Sequence, residues 1–400
     1  MARPARDSAR DILLCHPART AIGGFGGALQ AVPATDLGAA AIRATLSRAG
    51  LAAEAAELAV MGQVVQAGAG MNPARQAAIH GGLTAETPAL TVNRVCGSGA
   101  QAIVSAAQEI ALGHADIAVA GGMENMDLAP HLMPGARRGV RMGDAPVYDA
   151  MLRDGLHDAF SGRHSGWHTE DLAAEMQITR EAQDAWAARS QSRFSAARDA
   201  GKFDAEIVPV EAPVRKGTQI FARDEAPRPD TTPETLARLR PAFREGGAIT
   251  AGNAPGLNAG ASAMLVMDRA SAEAKGIAPL GRLVAWGVSA LAPERFGIAP
   301  APAIRQALER AGWRLGDLDR VEINEAYAAV PLAVMKELGL AEDVTNPEGG
   351  AVAHGHPIGA TGAILVTRAL HAMRREGQRR AMVSLCIGGG QGIALALEAM

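Results

Sequence analysis

The stretch Ser98-Gly-Ala-Gln-Ala-Ile-Val104 decides the fold, because a closely similar stretch, Thr361-Gly-Ala-Ile-Leu-Val-Thr367, recurs in the second half of the chain. Each stretch opens a helical pattern that leads, after a similar distance, to an apolar strand and then to glycines. Cys96 stands just before the first copy, and His356 just before the second. Ser/Thr-Gly-Ala is also a common helix opening that can recur by chance. We interpret the pair as an internal duplication, whose pseudo-twofold axis would bring the two loops face to face.

Apolar strands alternate with helices on both sides of each copy. In the first half this pattern predicts strands at 11–15, 58–63, 89–95 and 117–120, and helices at 35–49, 72–80 and 100–112. After Gly260 the pattern resumes and predicts strands at 262–267, 320–323 and within 381–397, and a helix at 301–311. We expect Thr35 or Asp36 to cap the first helix. The alternation predicts an α/β fold with a mostly parallel sheet that is covered on both faces.

The middle of the chain differs in composition and pattern from the two halves. It contains Pro-rich, charge-dense segments and one long helical pattern at 171–200. We interpret it as an inserted segment. The predicted division is a first half made of residues 1–128 and 258–279, an insertion at 129–257, and a second half at 280–400.

Composition excludes several classes of protein. The 400 residues carry a formal charge of −3, and the arginines are scattered, so a nucleic-acid surface is not expected. No segment has the ~20 consecutive apolar residues that span a bilayer, and the first residues lack the apolar core of a signal peptide. The three cysteines, Cys15, Cys96 and Cys386, lack metal-ligand spacing. We therefore expect an intracellular protein without disulfides, metal, nucleic acid or membrane partner.

Cys96 is the first candidate for chemistry. It lies between an apolar strand and a Gly-Ser-Gly turn that opens a helix. The positive end of a helix stabilises a thiolate, which predicts that the pKa of this thiol is lowered from its usual value of about 8.5. The alternative is that Cys96 is a small buried hydrophobe at the end of a strand.

Three further motifs contain reactive side chains. Asn324 follows a strand and can donate to an oxyanion, although an ordinary helix cap is the alternative. His356 lies in a rigid Gly-His-Pro loop and could deprotonate a thiol or stabilise an oxyanion, with a solvated loop histidine as the alternative. The glycines after Cys386, starting at Gly388, would let backbone N–H groups approach a carbonyl oxygen. Cys386 could then donate and accept a proton opposite Cys96.

Taken together, the motifs resemble the thiolase family from about residue 12 to the end of the chain. They are, in chain order, Arg19-Thr-Ala-Ile-Gly-Gly-Phe-Gly-Gly27, Gly70-Met-Asn-Pro-Ala-Arg-Gln76, Asn93-Arg-Val-Cys96-Gly-Ser-Gly-Ala100, Gly121-Gly-Met-Glu-Asn-Met126, Leu239-Arg-Pro-Ala-Phe243, Thr250-Ala-Gly-Asn253-Ala-Pro-Gly-Leu-Asn258, Asn324-Glu-Ala-Tyr327-Ala328, Gly355-His356-Pro-Ile-Gly-Ala-Thr-Gly362 and Cys386-Ile-Gly-Gly-Gly-Gln-Gly392. The resemblance implies a duplicated, five-layered αβαβα fold with an inserted loop domain, which acts on coenzyme A thioesters.

The resemblance also implies a role for each reactive residue. Cys96 attacks the thioester substrate and carries the acyl group, and His356 activates that thiol. Cys386 protonates the departing acetyl-CoA enolate, or removes its α-proton in the reverse direction. His356 and a water held by Asn324 form one oxyanion hole, and the N–H groups of Cys96 and Gly388 form the other. Coenzyme A is a substrate here, and no other cofactor is implied.

The insertion corresponds to the part of the family that holds coenzyme A. His164, Arg228 and Phe243 stand where family members contact the pantetheine or the nucleotide, although all three could be ordinary loop or core residues. Tyr327, in the Asn324 motif, is assigned to the substrate site as well. The family implies a homodimer or homotetramer, with 214–226 as a possible contact.

The chain departs from the family pattern at three positions near the substrate. Pro255 replaces a common Ser that contacts the pantetheine arm, Ser165 replaces a Met, and Phe296 occupies a position often filled by Met. We therefore predict a reshaped acyl pocket.

Two other functions compete with a catalytically intact thiolase. A decarboxylating condensing enzyme would place a second histidine where Cys386 stands. A non-catalytic acyl-CoA or lipid carrier would have lost a reactive residue, and none is lost. The residues suit both thiolytic cleavage of 3-oxoacyl-CoA and condensation of acetyl-CoA. The dominance of Arg over Lys favours a bacterial cytoplasm.

Overall fold

The computed structural model describes residues 10–400. Its strands are β1 (Ile12–Thr20), β2 (Gly23–Gly24), β3 (Leu58–Gly62), β4 (Ala89–Val92), β5 (Ile117–Asn125), β6 (His131–Leu132), β7 (Tyr148–Asp149), β8 (Ile207–Val208), β9 (Val210–Pro213), β10 (Thr218–Phe221), β11 (Asn258–Asp268), β12 (Gly281–Ala290), β13 (Arg320–Ile323), β14 (Arg380–Ile387) and β15 (Gln391–Ala399). Its α-helices are α1 (Ala34–Ala49), α2 (Pro73–His80), α3 (Ser98–Ala111), α4 (Ser165–Glu175), α5 (Arg180–Asp199), α6 (Pro233–Ala237), α7 (Arg269–Lys275), α8 (Pro300–Ala311), α9 (Ala329–Leu338), α10 (Ala351–His354) and α11 (Thr361–Glu376). No helix within residues 10–400 has the length and apolar character needed to cross a membrane.

The two halves of the chain repeat one strand topology. The first half has the order β1-β11-β5-β3, and the second has β12-β15-β14-β13. In both halves the first two pairings are antiparallel and the third is parallel. Within residues 10–400 the two sets of strands pair with each other through a short antiparallel contact between β1 and β12. The structure therefore confirms the predicted duplication.

Alternating side chains on the strands build five layers. On β11, Leu265 and Met267 pack in one core with α1 and α2, whereas Met264 and Val266 face a second core that contains α3 and α11. On β14, Val383 faces that same central core, and its neighbours on the opposite face pack with α8 and α9. The order is therefore helices, sheet, paired central helices, sheet and helices, and the predicted αβαβα fold is confirmed.

The prediction of a mostly parallel sheet is wrong. Among the main strand pairs, only β3 with β4, β3 with β5 and β13 with β14 are parallel. The tight turn at Gly388–Gly390 forces β14 and β15 to be antiparallel, because two strands joined by so short a turn must reverse direction. Strands buried on both faces are apolar throughout in either orientation, so the hydrophobic pattern could not distinguish the two cases.

Several predicted boundaries also change. The pattern at 171–200 is two helices, α4 and α5, separated by a turn in which Gln177 has φ of 53°. Neither Thr35 nor Asp36 caps α1, because that helix already begins at Ala34 after Pro33. The strand predicted at 89–95 ends at Val92.

The middle of the chain is tied to the first half by a buried ion cluster. Arg19 on β1 is fully buried, and its Nε donates to Glu206 Oε1 at 2.7 Å while its Nη1 donates to Asp224 Oδ1 at 2.8 Å. A buried guanidinium is tolerated only when carboxylates neutralise it. This cluster holds the loops before and after β9 and β10 against β1. The domain limits at 129 and 257 stay a prediction.

The two central helices touch through glycine at their first turns. A Cβ added to Gly362 of α11 would lie 2.4 Å from Ala100 N, and one added to Gly99 of α3 would lie 2.7 Å from Ala363 N. These clashes are with backbone, which cannot move aside as the end of a side chain can. Glycine at 99 and 362 therefore lets the two helix starts approach each other.

We predict that Gly362→Ala lowers the free energy of unfolding by about 1–3 kcal/mol or more, because the added methyl separates the helices. Denaturant unfolding measures the change. Gly316→Ala is the matched control, because an added Cβ there meets nothing within 4 Å. Equal stability of Gly362→Ala and the control would contradict the close-contact interpretation.

Candidate active site

A cavity of about 930 Å³ lies where the loops before α3 and α11 meet the middle segment of the chain. The sequence-predicted site residues that line it are Cys96, His164, Ser165, Phe243, Pro255, Phe296, Tyr327, His356 and Gly388. The other three do not line it. Asn324 and Cys386 are buried, and Arg228 is exposed. The duplication thus brings Cys96 and His356 into one cavity, as predicted.

The loop that carries Cys96 is held by its own polar groups. Val95 has φ of 43°, and its N–H donates to Asn93 Oδ1 at 2.9 Å. Ser98 Oγ accepts from Arg94 N–H at 2.9 Å and donates to the Val95 carbonyl at 2.7 Å. The positive φ of Val95 and these hydrogen bonds define a strained turn. Because of this turn β4 ends at Val92, and Cys96 lies in the cavity wall.

The prediction of a lowered Cys96 pKa is wrong for the unliganded protein. Burial raises the pKa of this thiol to about 11, and the N–H groups of Gly388 and of Cys96 itself oppose that rise. The desolvation of a thiolate therefore outweighs the favourable effect of the start of α3. The same contacts show that two backbone donors already point at the sulfur.

His356 is held in one tautomer by its neighbours. Thr361 Oγ1 donates its proton to the Pro357 carbonyl at 2.9 Å, so it accepts from His356 Nδ1 at 2.7 Å. Nδ1 therefore carries the proton, and Nε2 is the acceptor. Burial lowers the pKa of His356 to about 4, which keeps the imidazole neutral near pH 7. The structure thus contradicts the alternative of a solvated loop histidine.

The side chain of Asn324 is in hydrogen-bond contact with the imidazole of His356. Its Nδ2 is 3.3 Å from His356 Nε2, and its Oδ1 is buried without a partner among residues 10–400. It does not cap a helix, because α9 begins only at Ala329. The adjacent Glu325 anchors the segment by accepting from Trp186 Nε1 at 2.9 Å and Ser190 Oγ at 2.8 Å.

Cys386 lies near the end of β14, two residues before Gly388. It is fully buried, and burial together with the charge of the Cys96 thiolate raises its pKa well above the usual value. Gly389 and Gly390 have φ of 83° and 84°, so the turn to β15 needs glycine at both positions. Both thiols are therefore protonated at rest near pH 7.

Three rings in contact form an aromatic part of the cavity wall. His164 stacks on Phe243 with ring centroids 4.6 Å apart, and Phe243 meets the edge of the Tyr327 ring at 5.9 Å. A Cβ on Gly166 would lie 2.2 Å from the Phe243 ring, so the stack requires glycine there. Burial, and then the neighbouring His157, lower the pKa of His164 to about 4. The wall is therefore uncharged near pH 7.

Arg228 remains outside the cavity wall. Its Nη2 donates to the Ala251 carbonyl at 3.3 Å, in the loop that continues to Pro255. His354 does not line the cavity either; it is buried, and its ring centroid lies 5.6 Å from that of Phe194.

Sequence reasoning missed two parts of the site. The segment from Arg153 to Phe160 lines the cavity, but it contains no motif that marks it. Glu124 lies within the quoted Gly121 motif, yet only the fold shows what it does. Its carboxyl accepts from Val64 N–H at 2.9 Å and Gly359 N–H at 3.0 Å, and burial raises its pKa to about 8. Glu124 therefore links Val64, in the cavity wall, to Gly359, in the loop that contains His356.

Comparison with known proteins agrees with this geometry. Residues 12–270 match the thiolase N-terminal domain and residues 277–399 the thiolase C-terminal domain. The chain is 49% identical over 389 residues to an acetyl-CoA acetyltransferase of Cupriavidus necator, covering 97% of this chain and 99% of the relative. It is 47% identical over 390 residues to an acetyl-CoA acetyltransferase of Escherichia coli K12, covering 97% and 99%.

A solved structure is also similar. The crystal structure of the Bacillus anthracis acetyl-CoA acetyltransferase superposes with a TM-score of 0.96 at 39% identity, covering 99% of this chain and all of that one. The sequence match spans both halves, and the superposition includes the layers that bring them together. This chain is a member of the thiolase family.

Proposed function

We propose that this thiolase transfers acyl groups between coenzyme A thioesters through Cys96. The observation that carries the proposal is the placement of Cys96, His356 and the Gly388 backbone around one cavity, with Cys386 buried two residues before Gly388. The intact set argues against a carrier that has lost its reactive residues. Cys386 stands where a decarboxylating condensing enzyme would place a second histidine, so that alternative is not favoured.

The first half of the reaction follows from the protonation states. Neutral His356 takes the proton of Cys96 through Nε2, and the thiolate attacks the C3 carbonyl carbon of a 3-oxoacyl-CoA. The C2–C3 bond breaks, and Cys386 gives its proton to the departing acetyl-CoA enolate. The Cys386 thiolate then takes the proton of the free coenzyme A thiol, whose sulfur attacks the acyl-enzyme. The acyl group leaves as acyl-CoA, and His356 returns its proton to the released Cys96 sulfur. Condensation of acetyl-CoA runs the same steps in reverse.

Two oxyanion holes complete the proposed mechanism. The N–H groups of Cys96 and Gly388 approach the sulfur in the resting enzyme, which places them to bind the oxygen of the Cys96 thioester. The protonated His356 Nε2, with a water on Asn324, binds the other oxygen. Loss of one such donor typically costs about 10²–10³ in rate.

The coenzyme A contacts are assigned on position. His164, Ser165, Phe243, Pro255, Phe296 and Tyr327 line the cavity. Arg228 is exposed outside the cavity and suits a phosphate of the nucleotide.

We also propose a homodimer or homotetramer with 214–226 as a possible contact, a bacterial cytoplasmic location and the domain limits given above. The bacterial relatives support the location.

We predict that replacing Cys96 and replacing Cys386 abolish different steps of the reaction. Cys96→Ala should form no acyl-enzyme from acetyl-CoA, as judged by the mass of the intact protein. Cys386→Ala should still become acetylated but lose exchange of the α-protons of acetyl-CoA with deuterated solvent. Cys15→Ala is the control, because Cys15 is buried in the outer core of the first half. Acetylation of Cys96→Ala, or normal exchange by Cys386→Ala, would contradict the roles.

The pKa of His356 predicts the acid limit of activity. A general base must be neutral, and burial lowers the pKa of this imidazole to about 4. Its kcat/KM for acetoacetyl-CoA should therefore hold as pH falls through 6.5 and decline only near pH 4. Activity is measured over brief exposures, with folding followed by circular dichroism. A midpoint near 6.5 with the fold intact would contradict a desolvated base.

Phe296 and Ser165 should set acyl-chain preference. Both line the cavity, and Phe296 is buried. Phe296→Met should raise kcat/KM for an eight-carbon relative to a four-carbon 3-oxoacyl-CoA, because it frees space, and Ser165→Met should lower it. We expect changes of about tenfold. An unchanged ratio across the four- to eight-carbon series in both variants would disprove the reshaped pocket.

A further inference from the structure

Two hydroxyl groups meet in the wall of the cavity. Ser165 is the first residue of α4, and Tyr327 lies in the loop between β13 and α9. Ser165 Oγ and the Tyr327 hydroxyl oxygen are 2.8 Å apart, a hydrogen bond in which either can be the donor. Ser165 is half-buried, whereas only 6% of Tyr327 is exposed. The pair therefore belongs to the interior of the site rather than to its rim.

One proton of this pair is unused. The two hydroxyls carry two protons, and the bond between them uses only one. Within residues 10–400 neither side-chain oxygen makes another hydrogen bond to protein. Burial raises the pKa of Tyr327, so its hydroxyl keeps its proton. Whichever group donates to the other, one O–H donor is left to face the cavity.

The hydroxyl pair shares one cavity with the cysteine that carries the acyl group. Cys96, Ser165 and Tyr327 all line this cavity. An acyl group on Cys96 therefore extends into the space that the hydroxyl pair borders. The first carbons of the transferred chain therefore lie within reach of the hydroxyl pair.

The nearest described contacts of the pair are apolar. The Phe243 ring meets the edge of the Tyr327 ring at 5.9 Å, and Ala326, next to Tyr327 in the chain, also lines the cavity. The charged residues of the lining, Arg153, Asp154 and Asp158, belong to the segment that precedes α4. His164, the nearest basic group in sequence, is neutral near pH 7 because burial lowers its pKa to about 4. Within residues 10–400 neither hydroxyl is bonded to a charged side chain. A neutral oxygen can therefore accept the free proton here, whereas a carboxylate at this position would lose its hydration without an ion-pair partner bonded to the pair.

We propose that the Ser165–Tyr327 pair selects acyl groups that carry a neutral oxygen, a hydroxyl or a keto group, near C3 of the transferred chain. This inference rests on the proposed function, because the acyl group must be carried in this cavity. A plain alkyl chain would bury the free hydroxyl without an acceptor, which disfavours it by about tenfold or more. The pair acts on specificity and is separate from the bond-breaking step.

Binding tests the proposal without turnover. In the Cys96→Ala background, titration calorimetry compares 3-hydroxybutanoyl-CoA with 3-methylbutanoyl-CoA, which differ only by a hydroxyl in place of a methyl. We expect the hydroxyl ligand to bind about tenfold more tightly. Adding Ser165→Ala and Tyr327→Phe together should reduce the ratio of the two Kd values to about one. Each single change leaves one hydroxyl, and hence one donor, so the double change is the decisive one.

Two controls guard the interpretation. Replacing both hydroxyls together by apolar groups of similar shape is close to neutral for folding, which unfolding curves check. Ser47→Ala in the same background removes an exposed hydroxyl from α1 and should keep the tenfold ratio.

A ratio near one before the double change, or an unchanged ratio after it, would overturn the proposal. Tighter binding of 3-carboxypropanoyl-CoA than of the hydroxyl ligand would overturn the choice of a neutral oxygen. Failure of the parent enzyme to cleave acetoacetyl-CoA would instead contradict the proposed function, and the binding ratio would still decide the specificity.

Discussion

The close approach of the two central helices is the constraint on which the rest of the structure depends. The first turns of α3 and α11 meet backbone to backbone, because residues 99 and 362 are glycine. Each helix is preceded by one reactive loop, so this contact brings Cys96 and His356 to the same cavity. The sheets on either side bury the outer faces of both helices. The position of the chemistry is thus a consequence of packing in the middle layer.

Burial then decides the charge state of the site. It raises the pKa of Cys96 and of Cys386 and lowers that of His356, so the resting groups are neutral. A neutral thiol beside a neutral base can exchange a proton only as charge develops on a substrate oxygen. The N–H groups at Cys96 and Gly388 are already in place for that moment. In the proposed mechanism, reactivity therefore depends on backbone N–H donors that are already positioned, and not on a thiolate that is present before the substrate binds.

Much of the fold could be predicted from the residues. The repeated Ser/Thr-Gly-Ala openings predicted the duplication, and the apolar runs located most of the main strands. Strand direction was missed because strands covered on both faces look alike in either direction. The sequence predicted one helix at 171–200, but a turn at Gln177 divides this stretch between α4 and α5. The prediction missed this turn because the helical spacing of residues continues across it.

The sequence alone identified the candidate residues for the proposed chemistry, because a cysteine before Gly-Ser-Gly, a histidine in Gly-His-Pro and a cysteine before a glycine turn are local patterns. Only the tertiary structure decided how these groups behave. The pKa of Cys96 depends on how much water the assembled walls exclude, and its direction is opposite to that expected from the helix end alone. The Glu124 clamp and the Ser165–Tyr327 pair join residues far apart in the chain. Such contacts exist only after the layers have packed, so no local pattern could reveal them.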